Sequence, residues 1–181
     1  MILLGVEDGS FDAFNRNNHG YTLLCATTTY EDRITNIRLA KIEVDGFDAT
    51  DRLVDIMEGI KVDVVILGGV TFAGFNMIDP KRIHREFDVP VIVYSGKRPD
   101  NSAIMDALRK HFPDWKRRWS IVKALGQIHE VNTFAGEPPV YFEAIGCEAG
   151  WAEIILRNSA IISRIPEPVR VSGLVAKGLT R

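Results

Sequence analysis

Cysteine is scarce in this sequence, with only Cys25 and Cys147 among 181 residues. They lie far apart in apolar contexts, which excludes a disulfide framework and suits reduced, packed thiols in a cytoplasm. No apolar run approaches the roughly 20 residues that span a bilayer. The first apolar segment has no basic stretch before it and meets acids within a few residues, unlike a secretory leader. The expectation is a soluble cytoplasmic protein. Charge of either sign is not in excess, at a formal net −2, so nucleic-acid binding would need a local basic patch. Walker loops, GxGxxG and zinc spacings are missing from the sequence, as are internal repeats and low-complexity tracts. What is there, 46% hydrophobic and 25% charged, is the composition of an ordinary folded chain. The length suits one domain over residues 1–181 with a core of its own.

Hydrophobic patterning gives an order of elements. Residues 1–7, 21–30 and 34–44 read as strands, the last two joined by Glu31 and Asp32 as a hairpin. The polar loop FDAFNRNNHG between the first two should carry an exposed tip. DATDRLVDIMEGIK has an acidic first turn and apolar residues at helical spacing, and is predicted helical. VDVVILGG and VPVIVYSGK are uninterrupted apolar runs of the kind found in central strands covered on both faces, with KRIHREF a short helix between them. SAIMDALRKHF is a helix capped from Asp100 to Ser102. VKALGQIHEVNTF and PPVYFEAIG read as a pair of extended segments, AGWAEIILRNSAI as a helix, and PEPVRVSGLVAKGL as a Pro-bounded turn with a last helix. Three antiparallel strands, then alternating helices and parallel strands, make an α/β plan of the ribonuclease-H-like kind, a mixed sheet flanked by helices. A flavodoxin-like sheet fits the same order.

The stretch GVEDGSF raises a chemical question, because an apolar strand ends in two adjacent acids, Glu7 and Asp8. Groups at the end of a central strand are held at the sheet's rim, where ligands bind in open sheets. Two carboxylates there repel unless a cation lies between them or they face opposite ways. Alternation along a strand sends them to opposite faces unless Gly9 breaks it. A hard cation such as magnesium needs more oxygens, and Asp45, Asp48 and Asp51 at the next helix are the nearest candidates. A cation shared by Asp51 and a strand-end acid would activate water and stabilise a leaving phosphate oxygen. Asp48 or Asp51 also fits the role of an ordinary helix cap.

Four stretches in order, GVEDGSF, VDVVILGGVTFAGFN, VPVIVYSGKRP and IPEPVR, resemble the endonuclease-V-like superfamily. More closely, the chain resembles the archaeal endonuclease dU family over nearly its whole length. The resemblance implies a ribonuclease-H-like fold and a nuclease dependent on magnesium, or on manganese in its place. Its implied partner is DNA with a deaminated base, uracil in that family. By position, Glu7, Asp8 and Asp51 match the metal-binding and catalytic acids, and Lys97 matches a lysine after the corresponding strand. Two positions depart from the endonuclease V pattern. Gly68 stands where that family has an aspartate, and Cys147 stands near its later histidine or acid.

The loop GGVTFAGFN supplies candidate substrate contacts. Phe72 or Phe75 would stack on a base, and Thr71 or Asn76 would reach a phosphate or base edge. The same loop also reads as a tight turn whose phenylalanines fill the core. Lys97 and Arg98 add positive charge to the rim, as a phosphate backbone requires. Arg170 would brace an acid of the site or cap the last helix. DWKRRW interleaves tryptophan with cations, a mixture that suits nucleic acid through stacking and charge; at helical spacing Trp115 and Trp119 share a face and the favoured reading is that they pack, leaving the cations solvated. His19, His84, His111 and His129 show no metal-ligand spacing. Three functions fit: a magnesium-dependent endonuclease acting near a deaminated base, a nucleic-acid-binding relative with a decayed metal site, or a non-nuclease that keeps the fold for homo-oligomerisation or a small ligand.

Overall fold

The computed structural model describes residues 1–12 and 20–180. Most of the expected loop tip, including His19, lies outside the described residues. Among these residues, β1 (Ile2–Asp8), β2 (Tyr21–Tyr30) and β3 (Arg33–Glu43) form an antiparallel meander. Helix α1 (Ala49–Met57) leads to β4 (Val64–Leu67), which pairs parallel to β1. A small hairpin, β5 (Thr71–Phe72) and β6 (Asn76–Met77), precedes α2 (Pro80–Phe87) and the parallel strand β7 (Val91–Ser95). Helices α3 (Asn101–His111) and α4 (Trp115–Lys123) follow. Next come β8 (His129–Val131), β9 (Val140–Ile145), α5 (Ala149–Ser159) and α6 (Glu167–Leu179). The seven-stranded sheet runs β3-β2-β1-β4-β7-β9-β8, the mixed plan expected from the order of elements.

Strand alternation divides the core. Leu4, Val6, Val65, Leu67 and Val93 face α1 to α4, whereas Leu3, Val64, Ile66 and Ile92 face α5 and α6. β4 is buried along its whole length, which explains its unbroken apolar run. Helix α6 packs directly on β1. A side chain at Gly5 would overlap the backbone of Pro168 and Val169, so only glycine permits this approach. Ser172 seals the contact by donating its hydroxyl to the Gly5 carbonyl at 2.8 Å, and it also bonds the Thr27 hydroxyl. No helix among the described residues is long and apolar enough to cross a membrane.

Two expectations change. GGVTFAGFN is a hairpin, turned by Ala73 and Gly74 at φ +44° and +84°. PDWKRRW opens α4, and its Arg118 is 5% exposed. Trp115 and Trp119 pack against the core as expected, but Arg118 does not stay in water. Its guanidinium donates to the carbonyls of Asp45, Gly46 and Phe75 and to the Asp114 carboxylate, and it stacks over Phe112. A guanidinium has enough donors to be buried when each finds an oxygen.

Candidate active site

β1 carries Glu7 and Asp8 to the rim, and alternation sets them apart. Glu7 follows Leu3 and Gly5 toward α6, where a Cβ on Gly173 would stand 3.6 Å from its Cγ. Asp8 follows Leu4 and Val6 toward the other layer, where its Oδ2 accepts the N–H of Ala73 in the β5–β6 hairpin. Gly9 keeps the ladder going, its N–H donating to Leu23 at 2.8 Å. The two acids nevertheless stay close enough to influence each other. Glu7 Oε2 accepts the Asp8 backbone N–H at 3.1 Å. Burial, and then the Asp8 charge, push the Glu7 carboxyl up to about 7, while the Asp8 N–H and the Lys177 ammonium pull the other way.

Gly68 ends β4 beside this pair. A Cβ there would overlap the Glu7 carboxyl, so glycine leaves the room that the acid occupies. On its other side Gly68 lines a cavity of about 230 Å³ together with Gly69, Thr71, Ser95, Asn101 and Glu143, closed by apolar side chains that include Val93 and Ile104. Glu143 is 2% exposed. Burial pushes its carboxyl up to about 7.

The remaining expected residues are dispersed. Asp51 is exposed in the first turn of α1 and forms a 2.6 Å ion pair with Arg82 of α2. Among the described residues no three His, Cys, Asp or Glu side chains gather as a metal-binding group, so Glu7, Asp8 and Asp51 do not form a ligand triad. Asp48 caps nothing with its side chain, and its carboxylate accepts from the Asn76 amide at 2.6 Å. Asn76 is fully buried. Its amide is spent on Ala49 N–H, the Glu43 carbonyl and Asp48, which leaves it anchoring α1 to the hairpin rather than reading a base. Phe72 is core, while Phe75 is half-buried against Phe112 with ring centroids 5.3 Å apart. Thr71 reaches the cavity. Lys97 and Arg98 are exposed just past β7, and Arg98 lies over the Tyr141 ring. Arg170 is engaged by Glu167 in a two-pronged pair, which lowers the Glu167 carboxyl. Cys147 is half-buried and free.

Sequence reasoning missed Glu143 and Lys177. An acid inside the apolar run VYFEAI was a visible signal for Glu143. Nothing marked Lys177, because only the packing of α6 on β1 brings it to Glu7.

Strands in this order, flanked by helices, make a mixed α/β fold that is shared with solved structures of endonuclease V. Endonuclease V of Ciona intestinalis, solved with a 23mer DNA containing an inosine followed by a ribo-adenosine, superposes with a TM-score of 0.63 at 10% identity, covering 97% of this chain and 83% of that one. A protein of unknown function from Archaeoglobus fulgidus superposes with a TM-score of 0.86 at 30% identity, over 99% and 98% of the two chains. Residues 1–180 match the family described as Endonuclease dU, and the chain belongs to that family. A UPF0215 protein of Methanopyrus kandleri is 37% identical over 152 residues, 82% of this chain and 77% of that protein. One of Pyrococcus furiosus is 41% identical over 144 residues, 77% and 72% of the two.

Proposed function

We propose that this protein is an endonuclease that cuts DNA at or near a deaminated base of the uracil type. One observation carries the reading: Gly68 makes room for Glu7 on one side and lines a base-sized cavity on the other. An acid pair and a recess for a base therefore share a wall at the sheet's rim. Membership of the endonuclease dU family, and a fold shared with an endonuclease V bound to inosine-containing DNA, support it.

Magnesium fits this rim as a two-carboxylate site. The ion commonly takes one or two carboxylates and completes its shell with water and substrate phosphate. Glu7 and Asp8 would hold it, and a cation between them would offset the burial and repulsion that raise Glu7. When bound, it would supply an acidified water and charge stabilisation at the departing oxygen. The chain's own residues do the rest. Asp8 ties the rim to the hairpin through Ala73, Lys177 balances the Glu7 charge, and Lys97 and Arg98 attract the phosphate backbone.

The test is nicking of uracil- and hypoxanthine-containing oligonucleotides by the pure protein with magnesium, beside Asp8→Ala. Cleavage lost in the variant is the expected result. The lack of a three-ligand group among the described residues favours a second reading, a DNA-binding relative with a decayed metal site. Salt-dependent binding without cleavage would establish that one instead.

A further inference from the structure

Glu143 has no evident structural employment. It lies within β9 opposite Val93, on the face where neighbouring positions are apolar, and its Oε2 is buried without a hydrogen-bond partner. An unsatisfied buried carboxyl oxygen destabilises a fold, and an apolar residue there would remove the penalty. The same side chain lines the cavity beside Gly68 and Gly69. That combination, a carboxyl with one buried oxygen unpartnered in a recess where Val93, Ile104 and Leu125 stand beside Thr71, Ser95 and Asn101, is what a ligand-reading group presents.

We propose that Glu143 reads the damaged base: within this cavity its carboxyl pairs with the lactam edge, –NH–C(=O)–, of an extruded uracil or hypoxanthine. This rests on the reading of DNA as substrate, since a base must leave the stack to enter a buried recess. Deamination turns the amino-bearing edge of cytosine or adenine into a ring N–H beside a carbonyl. A neutral carboxyl presents the complement, one O–H donor beside one acceptor. Oε2, the oxygen without a partner, is the one free to offer that proton. Oε2–H then meets the new carbonyl, whereas cytosine or adenine held in the same orientation would set its amino donor against that proton. Burial holds the carboxyl up to about 7, so the neutral form is well populated near neutrality. Thymine carries the same lactam edge, so this contact separates uracil from cytosine and not from thymine.

The experiment uses the whole chain with labelled Ile, Leu and Val methyl groups. Single-stranded oligonucleotides bearing one uracil, one hypoxanthine or one cytosine are titrated without magnesium, and nicking is measured separately with it. The Val93, Ile104 and Leu125 methyl signals should move with uracil and hypoxanthine. Glu143→Leu should lose roughly 10- to 100-fold of the preference over cytosine. Glu143→Gln, whose amide keeps a donor beside an acceptor, should retain most of it. Unmoved methyl signals, unaltered preference in Glu143→Leu, or equal loss in both variants overturns the proposal, and cleavage by the wild type then leaves the nuclease reading standing. Shifted signals with preference lost only in Glu143→Leu, but no nicking, uphold base reading and overturn the nuclease.

Discussion

The carboxyl of Glu7 occupies the space that any side chain on Gly68 would need. Counted from the sequence alone, Gly68 was a missing ligand. In the structure the longer acid of the adjacent strand leans across it, so an acidic oxygen is present at that place after all. Gly68→Ala should therefore displace Glu7, a flexible side chain, at a cost of only about 1 kcal/mol to the fold. Nicking should fall at least about 10-fold. Thermal denaturation and cleavage rates of the same preparation check both halves.

Glu7→Gln and Asp8→Asn should each reduce nicking by about 100-fold or more, because even partners outside a metal's ligand shell are worth 10- to 100-fold. Asp51→Ala should change it less than about threefold, its exposed pair with Arg82 being worth about 0–1 kcal/mol of stability. A large loss in Asp51→Ala would return that residue to the site.

Stability should depend on pH with a definite sign. Glu7 and Glu143 are both raised in the folded state to about 7, so the folded protein binds more protons than the unfolded chain between the ordinary carboxyl value and about 7. Their contribution is fully present below the unfolded value and is lost as pH rises through about 7. Denaturant titrations of the magnesium-free protein should show stability falling over that window. Glu7→Gln and Glu143→Gln should each flatten the slope.

Glu143→Leu should make the protein more stable by about 1–3 kcal/mol, since a partnerless buried oxygen is replaced by a hydrocarbon of similar size. The midpoint of urea denaturation measures it. A decrease would mean that the carboxyl has a structural partner.

Arg118→Ala should cost at least about 1–3 kcal/mol, the range for leaving a buried hydrogen-bonding group without its partner. The carbonyls of Asp45, Gly46 and Phe75 would lose their donor. Arg118→Lys should recover only part of this, because one ammonium cannot span the same fork of oxygens.

The reach of the sequence can be traced residue by residue. β1 to β3, the fully buried β4 and the opposite facing of Glu7 and Asp8 follow from period-two alternation, a local property of the chain. The paired segments near residues 129–145 were legible as extended, and β8 and β9 are there. The hairpin at Thr71 to Met77 was not, since two-residue strands hold too few positions to show a period. Asn76 looked available for a base because nothing local reveals that Ala49, Glu43 and Asp48 consume its amide. Asp51 sat at a suitable place in the order, but Arg82 from the following helix claims it. Glu143 was visible as an acid in an apolar strand, yet its lack of a partner belongs to the packed cavity rather than to its neighbours in sequence.

Helix α6 closes over β1 through Ser172 and Gly5, positions 167 apart along the chain. The environment that tunes Glu7 thus depends on the first and last described elements finding each other, a contact of high sequence separation and correspondingly late reward in folding. A chain still emerging from the ribosome would hold its rim acids in open water, beside neither Gly173 nor Lys177. The Glu7 carboxyl would then lack the burial that raises it, so the tuned acid exists only once α6 has docked.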